Sequence, residues 1–153
     1  MECCDSGTRL DRMATAPTRR LRDNRSDDFL ALVEGLVERL SAWREGDDRA
    51  SLFADLRGHF AAAERLLPRE GAAEYVSLWR GRLHPFFLQA PFVHRCYTKP
   101  LGYAGDFEMM NMIYRNLPEG ETPIGRGLHQ FMNGWRGAAA VRSRRRWILQ
   151  RIH

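Results

Sequence analysis

The side chains with the most capacity for chemistry fall in one run, Tyr97 to Tyr114, which reads YTKPLGYAGDFEMMNMIY. It brings the hydroxyls of Tyr97, Tyr103 and Tyr114 into a mainly apolar stretch beside the carboxylates of Asp106 and Glu108. Gly102 and Gly105 open backbone shapes closed to other residues, and Pro100 stiffens the approach. One reading is a loop that closes over a polar small molecule, with tyrosine and aspartate as hydrogen-bond partners. The plainer reading is a tight turn at the glycines, a helix N-cap at Asp106 and tyrosines in the core. Composition alone favours the plainer one.

A second group is the arginine run Arg142, Arg144, Arg145 and Arg146, followed by Arg151, with no acidic residue among them. Such a run can contact phosphate or another acidic group. It can equally be a solvated helix face, where positive charge near a C-terminus suits the helix dipole, or a face that packs against a following domain. Other constellations point away from catalysis by this chain. His59, His84, His94, His129 and His153 show no metal-ligand spacing, and there is no CxxC, so no metal is expected. Cys96 and His94 lack a third member or an oxyanion loop. Neither GxxxxGK(S/T) nor GxGxxG occurs, and no strand–helix alternation supports a dinucleotide fold.

Composition narrows the class further. Apolar residues make up 44% of the chain, as in ordinary soluble domains. No stretch approaches the roughly 20 apolar residues of a membrane span, so no membrane partner is expected. Cys3, Cys4 and Cys96 form no disulfide framework, and no apolar leader is visible. A cytoplasmic location is the expectation. The net charge of +5 suggests nucleic acid at first sight. However, Lys99 is the only lysine and the basic excess sits at the two ends, a pattern of arginine-biased composition, so nucleic acid is not the expected partner.

The elements that must position these residues are helices. Residues 1–25 read as a disordered polar tail and residues 26–153 as one helical domain. Ser26 and Asp27 are set to cap a first helix, whose stripe is Phe29, Leu32, Val33, Leu36, Val37, Leu40 and Trp43. A second helix from Arg49 to Leu67 carries Leu52, Phe53, Leu56, Phe60 and Ala63, and Pro68 stops it. A third, through Tyr75, Trp79 and Leu83, is expected to end at His84, because the residue before a proline is pushed out of helical geometry. Residues 84–106 then read as a short helical turn followed by an ordered, buried loop. Asp106 opens a helix with Phe107, Met110, Ile113 and Tyr114 on one face, and two more helices follow, over about Ile124–Trp135 and from Ala138 onward. The expected fold is all-α, a bundle of five to seven helices with an ordered Pro/Gly/aromatic loop.

From His84 to Leu149 the chain resembles the region just ahead of the catalytic domain in a family of bacterial class I methyltransferases, some labelled as making 3-hydroxypalmitic acid methyl ester. The residues that carry the likeness are HPFFLQAPFVHRCYTKPLGYAGDFEMMNMIY, the helix near IGRGLHQF and the segment AVRSRRRWIL. The resemblance implies a substrate-recognition and lid region whose partner is a C-terminal Rossmann-like domain of the same protein. It implies S-adenosylmethionine as cofactor in the full-length enzyme only. The Rossmann-like half is missing from this sequence, so the chain is expected to be inactive alone. Tyr97, Gly102, Tyr103, Gly105 and Asp106 would lie near the cofactor or substrate cleft, with Tyr103 and Asp106 as first contacts and Tyr114 as third. A small-molecule acceptor is implied, with an acyl chain as one candidate, since Phe86, Phe87 and Phe92 could line an apolar pocket; plain core is their simpler role. The alternative is a stand-alone helical interaction module that binds a partner through its basic C-terminal helix.

Overall fold

The computed structural model describes residues 24–152. Of the tail expected over residues 1–25, residues 1–23 lie outside them, and Asn24 and Arg25 already belong to the first helix. Seven helices follow in order among the described residues: α1 (Asn24–Ala42), α2 (Arg49–Leu66), α3 (Ala72–Phe87), α4 (Pro91–Thr98), α5 (Phe107–Arg115), α6 (Pro123–Asn133) and α7 (Arg136–Ile152). No strand is present among these residues, and no helix is long and apolar enough to cross a membrane. The fold is all-α, as the periodicity requires.

The α1–α3 bundle is built on the apolar stripes. Phe29, Val33, Leu36 and Leu40 of α1 are buried against Leu52, Leu56 and Ala63 of α2 and Tyr75, Leu83 and Phe87 of α3. Fully burying a leucine or phenylalanine side chain is worth about 1.5–3 kcal/mol, so these stripes dominate the stability of this half. Asp48 starts α2 by accepting from the amides of Ala50 and Ser51, which satisfies donors that have no helical partner. Helix α6 closes the bundle with Leu128 and Phe131, and Phe131 stacks on Phe60 with ring centroids 6.2 Å apart. It also packs on α3 and α4, while α5 packs on α4 and α7. Helix α6 thus joins an apolar half, α1–α3, to a second half made of α4, α5 and α7. Gly125 permits that joint, because a Cβ there would sit 2.5 Å from the Gln89 carbonyl oxygen.

Four expectations need correction. Helix α1 is already formed at Asn24, so Ser26 does not cap it; the Ser26 hydroxyl pairs with the Tyr75 hydroxyl at 3.0 Å. Helix α3 does not stop at His84 but runs through Pro85 to Phe87. The ring removes one backbone donor, and the burial of Phe87 with the packing of Phe86 on the same core offsets that loss. The region after it is not mainly loop. Pro91 occupies the first position of α4, where its missing N–H is no defect, so the loop shrinks to Lys99–Gly105. Every residue of that loop is exposed rather than buried. Finally, α5 turns Met109 and Ile113 inward and leaves Phe107 outside.

Candidate functional site

The loop between α4 and α5 is short and exposed, yet both of its ends are anchored. At its start Lys99 takes the left-handed conformation, φ 47°, and its amide donates to the Arg95 carbonyl. Gly102 adopts φ 86° and donates to the Lys99 carbonyl at 2.8 Å, closing a tight turn. Only glycine takes that φ without strain. At its end Asp106 is the N-cap of α5, with Oδ1 accepting from the Met109 amide at 3.0 Å.

The same carboxylate ties the two helices together. Arg95 Nε, on the last turn of α4, donates to Asp106 Oδ1 at 2.7 Å and to Oδ2 at 2.8 Å. Asp106 is completely inaccessible to solvent. The Arg95 guanidinium holds the Asp106 carboxyl below its ordinary value against the opposing effect of burial, and the Met109 amide adds to the lowering. The Arg95 pKa is raised in return by its bond to Asp106. A buried carboxylate is stable only when paired and hydrogen-bonded in this way.

Above this anchor lie the aromatic side chains. Tyr97 is 62% exposed, Tyr103 55% and Phe107 59%, with Leu101 beside them. Tyr97 is held by an edge-on contact with His84, ring centroids 4.6 Å apart. Tyr97, Gly102, Tyr103 and Gly105 are all exposed, at the end of α4 and in the loop that follows, and this stretch is the exposed edge. Asp106 at its end is buried with its oxygens already engaged, so it anchors the edge rather than presenting a free carboxylate. Tyr114 is elsewhere. It sits at the other end of α5, about 10 Å along the helix axis from Phe107, with the Arg145 guanidinium 4.8 Å above its ring.

Helix α4 has no side-chain cap of its own. His129 of α6 supplies one from outside: the Phe92 amide donates to His129 Nδ1 at 3.3 Å. That leaves the ring proton on Nε2, 2.9 Å from Asn133 Nδ2; turning the carboxamide over brings the otherwise unpartnered Oδ1 to accept from it. Burial pushes the His129 pKa down, which keeps Nδ1 free to accept.

Sequence reasoning missed Arg95 and His129. Arg95 stands in a stretch expected to be mostly loop, and only the existence of α4 aims it at Asp106. His129 carries no motif; its role depends on a contact 37 residues away. The Phe86, Phe87 and Phe92 cluster divides: Phe87 is core, Phe86 packs against the core, and Phe92 is half-buried near His129.

The chemistry available at this edge is binding and covering. Among the described residues no three His, Cys, Asp or Glu side chains gather to hold a metal ion. The Cys96 thiol is pushed up by burial and by Asp106, away from the reactive thiolate. Tyrosine hydroxyls and open backbone at the glycines can donate and accept, but no activated nucleophile stands among them. Comparison with known proteins returns no family model, no curated protein and no solved structure that matches this chain.

Proposed function

We propose that this chain is the substrate-recognition and lid portion of an S-adenosylmethionine-dependent methyltransferase, working in the cytoplasm with a Rossmann-like partner domain. The observation that carries the reading is the aromatic edge of Tyr97, Leu101, Tyr103 and Phe107, anchored from below by the buried Arg95–Asp106 pair and uncovered above. A lid needs that combination. It must hold its shape so that the acceptor is aligned, and it must offer apolar surface that excludes water once it closes. The resemblance of the His84–Leu149 segment to the front region of such enzymes supplies the reaction class.

The described residues do not themselves fit the cofactor. They contain no strand and no glycine-rich strand–turn to take its nucleoside and amino-acid ends. The cofactor therefore belongs to the partner domain. This chain's part is to cover, align and exclude water, with the Tyr97 and Tyr103 hydroxyls as polar contacts and Gly102 and Gly105 as points of close backbone approach. A carboxylate acceptor suits the lack of a base, since it is already ionised at neutral pH.

A second reading is a helical interaction module. It is favoured by the end of α7, where Trp147, Ile148, Leu149 and Ile152 are all exposed. Calorimetric titration of S-adenosylmethionine separates the two. Binding to a polypeptide extended through the downstream reading frame, and not to the present chain, supports the lid. Binding to neither overturns it in favour of the interaction module.

A further inference from the structure

Between α5 and α7 lies an open cleft of about 400 Å³, lined by Tyr114, Asn116, Arg142, Arg145, Arg146 and Leu149. Its three guanidiniums come from one face of α7, at i, i+3 and i+4. No carboxylate lines it. Among the described residues Arg39, Arg82, Arg95, Arg115 and Arg126 each pair with a carboxylate, and none of the three cleft arginines does. Like charges at this spacing repel along a helix, so α7 holds them together against a cost that an anion would remove.

Two of the three are also fixed in place. Arg142 donates through Nη1 to the Asn133 carbonyl at 2.9 Å and to the Ile113 carbonyl at 3.4 Å, the latter within the last turn of α5. Arg145 lies over the Tyr114 ring. Guanidiniums held before a ligand arrives lose little freedom on binding, and their planar forks match an oxyanion. Asn116, in the left-handed conformation at the C-terminus of α5, adds a carboxamide to the rim. Tyr114 and Leu149 add an aromatic and an apolar wall.

We infer that the α5–α7 cleft is an oxyanion-binding site for a small molecule whose phosphate or carboxylate meets Arg142, Arg145 and Arg146 while its organic part packs on Tyr114 and Leu149. The site is separate from the lid edge, and its test uses the chain alone. Phosphate binding and S-adenosylmethionine binding therefore succeed or fail independently.

Phenyl phosphate is the first probe, read by backbone amide shifts along α7. The expected result is one saturable site. Arg145→Gln and Arg146→Gln should each weaken it about tenfold, the size of one charged hydrogen bond, with the melting temperature little changed, because both side chains are exposed and each loss also relieves repulsion within α7. Benzoate is the second probe: binding as tight as phenyl phosphate assigns a carboxylate as the source of the oxyanion, and weaker binding assigns phosphate. Equal binding by wild type and both variants overturns the site, as does a lack of saturation at millimolar phenyl phosphate and benzoate. Displacement of the probe by a DNA duplex whose affinity falls steeply with salt overturns it in favour of a nucleic-acid surface.

Discussion

Leu83 and Asp106 are both completely buried, one in the α1–α3 bundle and the other at the α4–α5 junction. Leu83 belongs to one apolar cluster with Phe87, Leu128 and the α1 stripe. Apolar burial has no preferred direction, so loss of one group is spread over many neighbours. Around Asp106 the contacts are two short bonds from Arg95 and one from the Met109 amide. Those bonds depend on angle and on ionisation. Apolar volume dominates the first half, whereas the α4–α5 junction adds a few directed bonds to the burial of Met109 and Ile113, and the exposed aromatic edge rests on that junction. An edge of fixed shape follows from that arrangement, and so does sensitivity to a single atom.

Substitution in each half tests the contrast. Leu83→Ala should give the largest loss, about 2–5 kcal/mol of unfolding free energy, through the cavity it leaves. Urea denaturation checks it, and hydrogen exchange should then rise throughout α1–α3. Asp106→Asn should lower global stability by less while releasing the loop, because the neutral amide leaves Arg95 without its partner charge. Hydrogen exchange should accelerate across Lys99–Gly105 and at the start of α5, with α1 unchanged. If α1 and the loop accelerate together, the two halves are one cooperative unit and the contrast fails.

Acid gives the finest discrimination. The folded pKa values of His59 and His129 are both lowered from 6.5 by burial, with a Leu32 carbonyl bond opposing at His59. The unfolded chain therefore binds more protons below 6.5, so stability is full above that pH and declines as the pH falls through it. Asp106 is lowered by Arg95. Its contribution is present above the unfolded value of about 3.9 and is lost only as the pH falls through the lower folded value. Two separate acid phases are expected in the stability–pH curve. His129→Gln should reduce the first and leave the second, which Asp106→Asn should reduce but not abolish, because the Glu119 carboxyl, held low by Arg115, titrates in the same phase.

The helices of the first half were legible because their information is local. Phe29, Val33, Leu36 and Leu40 repeat at helical spacing, and the structure buries each of them. The breaks at Gly46 and Pro68 were legible for the same reason. Pro85 misled because its rule is local too, whereas the burial of Phe87 that overrides it is tertiary. The edge was legible only in part. Tyr97, Gly102, Tyr103 and Gly105 are all exposed, and the capping role of Asp106 was one of the two readings its sequence context allowed. That Asp106 is fully inside could not be read, since Arg95 reaches it only once α4 is a helix and lies against α5. Tyr114 shared a run of sequence with Tyr103 but is carried away from it by the length of α5, and its partner Arg145 comes from α7.

The cap that His129 places on α4 also sets an order of assembly. An isolated helix of eight residues does not hold itself together in water, and the first turn of α4 has no polar side chain of its own to close it. A chain emerging from the ribosome makes the Phe92–His129 bond only after α6 has been synthesised and has docked on the bundle. The shape of the aromatic edge is thus coupled, through α4, to the docking of α6.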